Sequence, residues 1–191
     1  MKKLLVILVI AIAAFAMQAC RNSGDDSDDA DTTGIEQDTT TILRLALDKE
    51  DSLFAIKAAN NGMAEVEIGN LAIKKGQSKQ VKNFGSMMMK ENGKALVKLA
   101  IIAQSKKVSL PLTIDTAAQK KMAMLATKKG TAFDKAYIDM MIADHEQGIK
   151  LLQAASTQVQ DPDLRSFALK VLPMLQKHLD AINAIHDSMA H

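Results

Sequence analysis

Two histidines and three acidic residues occupy positions from which a metal ion could be held inside a helical protein. Glu65, His145 and His178 recur with apolar neighbours at three- and four-residue steps, which places each on the inner face of a helix. Asp144 and Glu91 lie at the edges of two such faces. One carboxylate with two imidazoles suits a single Fe(II), Zn or Mn ion. The pattern predicts a mononuclear metal site built from this set.

A structural role for the same residues is the competing interpretation, and it is the one we favour. A single histidine on an apolar face is more often hydrogen-bonded in the core than bound to a metal. A core carboxylate is costly unless it is paired, so Glu65 could pair with a histidine and set the register of the helices. Both interpretations place Glu65, His145 and His178 close together.

Other reaction chemistries lack the residues that they need. The sequence contains no glycine-rich phosphate loop, no H-E-x-x-H motif and none of the Glu-x-x-His motifs of di-iron bundles, and no Ser-His-Asp or Cys-His nucleophile can be assembled. The methionine groups at residues 87–89 and 140–141 could bind Cu(I), but they are better explained as core filler. An enzyme is therefore the less favoured interpretation.

The elements that must position these residues are predicted to be helices throughout, without the alternation that is typical of strands. The first runs from about Asp48 to Lys75, and the second follows the N-cap Ser78 and reaches about Lys106. Asp115 begins a short helix that ends before Gly130. A capping box at residues 131–134 begins the third long helix, which reaches about Gln158. The fourth long helix begins at Asp161-Pro162 and is predicted to be kinked at Pro173.

The connections between these helices predict the fold class. Short turns join the first long helix to the second and the third to the fourth, whereas a longer segment with its own short helix joins the two pairs. We therefore predict an all-α, ferritin-like four-helix bundle with a long crossover, over residues 42–191.

The N-terminal residues predict export and lipid attachment. Lys2 and Lys3 precede an unbroken apolar run at residues 4–16, as in a secretory signal peptide of residues 1–19. Cys20 follows Ala19 and resembles the acylated cysteine of a bacterial lipobox. Residues 20–41 are acidic and threonine-rich and form the predicted tether. Arg21 after the cysteine favours the outer membrane as the final location in the cell envelope.

The composition limits the partners. Without Lys2 and Lys3, the 24 basic residues fall to 22 and equal the 22 acidic ones, so no charge surplus attracts nucleic acid. Cys20 is the only cysteine, so with a lipid on it no thiol remains for a disulfide. The expected partners are the membrane, through the lipid, and envelope proteins, with the domain a monomer or weak dimer.

Several motifs, in this order, resemble a bacterial family of domains of unknown function. They are residues 61–69 (NGMAEVEIG), Leu110-Pro111, Phe133-Asp134-x-x-Tyr137, Asp144-His145 and Leu172-Pro173-x-x-x-x-His178. Members of that family are ferritin-like and often labelled as outer membrane proteins. The resemblance covers residues 48–187 and implies a four-helix bundle in the envelope, without an established reaction.

One departure from the family pattern bears on the metal prediction. The resemblance implies an Asp-His pair on the second helix, and Glu91-Asn92 stands there instead. Relative to the family pattern, Glu91 keeps an acidic side chain at the first position of the pair, whereas Asn92 replaces the histidine at the second. We therefore expect a non-enzymatic envelope lipoprotein with a structural or interaction role, and a metal-binding or metal-storage protein as the alternative.

Overall fold

Five helices make up most of residues 47–189, the part of the chain that the computed structural model describes, and this part contains no strand. The predictions for the signal peptide, Cys20 and the tether lie outside the described residues. The helices are α1 (Lys49–Lys75), α2 (Lys79–Ser105), α3 (Thr116–Ala126), α4 (Gly130–Gln158) and α5 (Pro162–Met189). The all-helical prediction is confirmed, and α5 continues through Pro173.

Most helix starts follow from short polar side chains that cap them, as predicted. Asp48 accepts a hydrogen bond from the backbone N–H of Asp51 at 2.7 Å, and Ser78 accepts one from Gln80 at 3.1 Å. The remaining two caps are Asp115, which accepts from the N–H of Ala118, and Asp161, which accepts from those of Asp163 and Leu164. Each cap satisfies N–H groups that have no partner inside the helix.

The predicted capping box at residues 131–134 is wrong. Helix α4 begins at Gly130, after Lys129, and no side chain caps it. Asp134 is buried instead, and its two carboxylate oxygens accept hydrogen bonds from the backbone N–H groups of Gln77 at 2.9 Å and Ser78 at 2.6 Å. Its partners are thus in the turn between α1 and α2, far away in the sequence.

A second buried aspartate holds the other turn in the same way. Asp51 accepts hydrogen bonds from the N–H groups of Gln160 at 3.0 Å and Asp161 at 2.6 Å, between α4 and α5. The two sets of contacts therefore correspond residue by residue. In one helical hairpin, α4–α5, an aspartate binds the turn between α1 and α2; in the other, α1–α2, an aspartate binds the turn between α4 and α5. Asp51 and Asp134, Gln77 and Gln160, and Ser78 and Asp161 are each separated by 83 residues.

The long helices pack as two antiparallel pairs, α1 with α2 and α4 with α5, and the pairs meet through α2–α5 and α1–α4. The crossover between the pairs contains α3, which packs against α1 and α4. Two apolar clusters fill the interior, one around Phe84, Phe133 and Tyr137, the other around Phe54 and Phe167. The residues with polar inner side chains lie on the four long helices.

Glycines set the spacing between α1 and α2. A Cβ atom on Gly69 would lie 2.7 Å from the carbonyl oxygen of Gly85, and one on Gly85 would lie 2.6 Å from that of Gly69. The two backbones are therefore in direct contact, which only glycine allows at both positions.

None of the helices within residues 47–189 has both the length and the apolar composition needed to cross a bilayer.

Candidate functional site

The two predicted histidines meet inside the bundle, beside an aromatic ring. His145 on α4 and His178 on α5 are 2% and 0% exposed, and their ring centroids lie 5.5 Å apart at an interplanar angle of 71°. The ring of Phe84 on α2 makes edge contacts with both, at 6.1 Å and 6.5 Å between centroids. The centre is therefore aromatic as well as polar.

His145 is held by its own helix. Its Nδ1 lies 2.8 Å from the carbonyl oxygen of Met141, one turn earlier, so Nδ1–H donates to that oxygen. Burial lowers the pKa of His145 to about 4, against the opposing effect of this hydrogen bond. The ring is neutral at pH 7, and Nε2 keeps a free lone pair.

His178 pairs with Glu91, across from α5 to α2. The distance from His178 Nε2 to Glu91 Oε2 is 2.8 Å, and the Glu91 side chain is 34% exposed. Burial lowers the pKa of His178, although Glu91 acts in the opposite direction. We assign the proton to Nε2, which donates to the carboxylate. The buried Nδ1 then has no hydrogen-bond partner among the described residues.

Glu65 approaches His145 without forming an ion pair. Its Oε1 lies 3.9 Å from His145 Nδ1, which is too long for a hydrogen bond, and that nitrogen already donates to Met141. Burial raises the pKa of Glu65 from an ordinary value of 4.5 to about 8; Asp144 adds to the rise and Lys121 opposes it. Both groups are therefore neutral at pH 7.

Asp144 has its partner outside the predicted set. It accepts a hydrogen bond from Lys121 of α3, with Nζ and Oδ1 2.5 Å apart. The Asp144 side chain is 17% exposed and that of Lys121 is 42% exposed, so this ion pair lies at the edge of the interior.

The predicted ligands thus come together as separate pairs and do not fit a mononuclear metal centre in this arrangement. His145 offers only Nε2 for coordination, whereas Glu65 faces Nδ1; His178 has Nε2 engaged by Glu91. Asn92 is buried and donates to the carbonyl oxygen of Met88 at 3.2 Å. Within residues 47–189, no group of three or more His, Cys, Asp or Glu side chains could hold a metal ion.

A cavity of about 240 Å³ adjoins these pairs. Glu65, His145 and Asn92 line it from three of the long helices, and Asp144 with Lys121 lines it towards α3. The rest of the wall is mainly apolar and includes Leu96, Leu99, Leu152, Phe167 and Leu175. The candidate site is therefore a neutral acid and a neutral imidazole facing a partly open pocket.

Sequence reasoning missed three of the residues that shape this site. These residues are Phe84, Lys121 and Asn60, none of which was given a role from the sequence. No periodicity identifies Lys121, because its contact with Asp144 depends on how the crossover packs. The contacts of Asp51 and Asp134 with distant turns could have been recognised from an internal correspondence in the sequence. The dipeptides Gln77-Ser78 and Gln160-Asp161 are separated by the same number of residues as the two aspartates.

The described chain is an all-helical protein with a buried carboxyl–imidazole core. It belongs to the family described as "Domain of unknown function (DUF4142)", whose profile matches residues 38–185. That description names no activity, ligand or location. Comparisons with curated proteins and with solved structures gave no match.

The raised pKa of Glu65 predicts a specific dependence of stability on pH. The folded state holds a proton on Glu65 that the unfolded chain loses near pH 4.5, so this stabilisation is present below pH 4.5 and lost as pH rises through 8. Above pH 6.5 the unfolded chain still loses the remaining protons of His145 and His178, whose pKa values are lowered in the fold, and this opposes the fall in stability. We expect the contribution of Glu65, taken as the difference between the wild type and a variant without this acid, to fall by about 2 kcal/mol from pH 6.5 to pH 9.

Urea unfolding of Glu65→Gln and of Glu67→Gln tests this expectation. Glu67 is exposed on the same helix and serves as the matched control. The Glu65→Gln variant should lose the fall in stability above pH 6.5, whereas Glu67→Gln should keep it. The same slope in both variants would contradict the assignment of a neutral Glu65.

Proposed function

We propose that this protein is a cell-envelope lipoprotein whose helical domain has a non-enzymatic, structural or interaction role. The observation that carries the proposal is that most of the inner polar side chains have hydrogen-bond partners within the domain. His178 is hydrogen-bonded to Glu91, His145 to a main-chain carbonyl, and Asp144 to Lys121. Contacts of this kind specify how helices pack.

We further propose that the domain is a ferritin-like four-helix bundle. The support is its connectivity: two antiparallel pairs of long helices joined by one long crossover. The corresponding turn contacts of Asp51 and Asp134 add to it, because they relate the two pairs to each other as equivalent hairpins.

The membrane attachment rests on the N-terminal sequence. Lys2, Lys3 and the apolar run before Cys20 have the order of a lipoprotein signal, and Arg21 favours the outer membrane. A lipid on Cys20 would serve as the anchor, and the acidic segment that follows would separate the bundle from the bilayer.

Metabolic labelling with a radioactive fatty acid tests the anchor. We expect label in the wild-type protein and none in Cys20→Ala, with the variant recovered in the soluble fraction after cell lysis. A Ser23→Ala variant, changed three residues later, should be labelled like the wild type. Equal labelling of Cys20→Ala and wild type would refute lipid attachment at this residue.

A further inference from the structure

The cavity beside Glu65 is large enough for a small organic molecule. Its volume is about 240 Å³, whereas an engineered apolar protein cavity of about 150 Å³ binds benzene. A molecule somewhat larger than benzene therefore fits. The cavity is not a purely apolar packing defect, since both polar and apolar side chains line it.

The two helical hairpins differ in polarity at two pairs of corresponding positions that line the cavity. Glu65 and Asn92, on α1 and α2, correspond to Gly148 and Leu175 on α4 and α5, each 83 residues further along. All four residues line the cavity. One hairpin therefore supplies a polar wall at the positions where the other supplies an apolar one, and a ligand for this space needs both characters.

The polar wall offers acceptors that lack donors. Glu65 Oε2 and Asn60 Oδ1 are buried without a hydrogen-bond partner among the described residues. His145 adds a third acceptor, because its Nδ1 carries the proton and leaves a lone pair on Nε2. All three residues line the cavity. Buried polar atoms without partners are unfavourable, so a group that supplies N–H donors would be stabilised here once Glu65 is ionised and accepts through both oxygens.

The charges on this wall favour a cation over an anion. Lys121 and Asp144 neutralise each other at 2.5 Å. Glu65 is then the group on this wall that can supply a countercharge, and the charge it supplies on ionisation is negative.

We propose that this cavity binds a small primary amine with an apolar body. The ammonium group would bind Glu65 Oε2 through one of its three N–H donors. The alkyl or aryl body would pack against Leu96, Leu99 and Leu175 on the apolar wall. Binding would convert Glu65 to the carboxylate and release its proton to solvent. The proposal does not depend on the lipid anchor.

Calorimetric titration of residues 38–191, which form one compact unit, tests this site. The probes are n-hexylamine and n-hexanol, which differ in the head group, at pH 7 and pH 9. We expect hexylamine to bind at least about tenfold more tightly than hexanol at pH 9. Because Glu65 must lose a proton, hexylamine should bind about tenfold more tightly at pH 9 than at pH 7, with proton release at pH 7.

Two variants test whether hexylamine binding depends on Glu65. Glu65→Gln keeps the shape and the neutral state of the buried side chain, so it should fold, and it should lose at least about tenfold in hexylamine affinity together with the pH dependence. The exposed control Glu67→Gln should bind like the wild type. The proposal is overturned if hexylamine does not bind, if hexanol binds equally well, or if Glu65→Gln leaves hexylamine binding unchanged.

Discussion

Replacing Asp134 with alanine should destabilise the domain by about 3–6 kcal/mol, because two hydrogen bonds to a buried carboxylate are lost at once. The backbone N–H groups of Gln77 and Ser78 would be left without their acceptor. The turn between α1 and α2 would also lose its tie to α4. Urea unfolding followed by far-UV circular dichroism measures the change.

The corresponding residue in the other hairpin provides an internal comparison. Asp51→Ala removes the same pair of contacts from Gln160 and Asp161 and should have a loss of similar size. Asp139→Ala, an exposed change on the same helix as Asp134, should cost less than about 0.5 kcal/mol. A cost for Asp134→Ala as small as that for Asp139→Ala would contradict the assigned role.

Replacing Gly85 with valine should destabilise the domain by at least about 3 kcal/mol, since the new side chain overlaps backbone rather than flexible atoms. A Cβ atom there would lie 2.6 Å from the carbonyl oxygen of Gly69 and 3.0 Å from the Cβ of Ala72. Relief requires α1 and α2 to move apart, which opens the core between them. Thermal and urea unfolding of the variant measure the loss.

Gly93 on the same helix is the matched control. A Cβ atom at Gly93 meets nothing within 4 Å. Gly93→Ala should therefore raise the free energy of unfolding by about 0.5–1 kcal/mol through the lower entropy of the unfolded chain. If Gly85→Val and Gly93→Ala changed the free energy of unfolding in the same direction and by the same amount, the close contact between α1 and α2 would not explain the loss of stability in Gly85→Val.

The helix boundaries were predictable from sequence because their determinants are local. Asp48, Ser78 and Asp115 each accept a hydrogen bond from an N–H two or three residues ahead, and the side chain and its partner lie within one turn. Asp134 has the same spacing from Thr131 as a capping acid, yet it binds a turn far from it in sequence. The local motif therefore predicted the wrong partner, since tertiary contacts decide which N–H groups reach a buried carboxylate.

The inner faces were predicted well for α4 and less well for α5. Steps of four residues back from His145 lead to Met141 and Tyr137, and all three are buried. On α5 His178 is buried as predicted, but the three- and four-residue steps from it lead to Ile185, whereas Ile182 is the fully buried residue. Ile185 is only partly buried and packs against the edge of the same apolar cluster.

The pairing of the candidate site residues could not be predicted from periodicity. Spacing placed Glu65, His145 and His178 inside the bundle, but it carries no information on which ring nitrogen faces which carboxylate. Those choices depend on Met141, Glu91 and the relative height of the helices. They decide between a shared metal centre and separate pairs, and so they decide the chemistry.

The most direct test of the central claim is the ionisation of Glu65 itself. Carboxyl carbon-13 NMR of residues 38–191, with Glu65 assigned through Glu65→Gln, gives its titration midpoint before and after one equivalent of Zn²⁺. We expect a midpoint near pH 8 in both titrations, as for a neutral acid buried among paired groups. A midpoint near 4.5, or one that falls sharply when Zn²⁺ is added, would contradict the account and favour a solvated or metal-binding carboxylate.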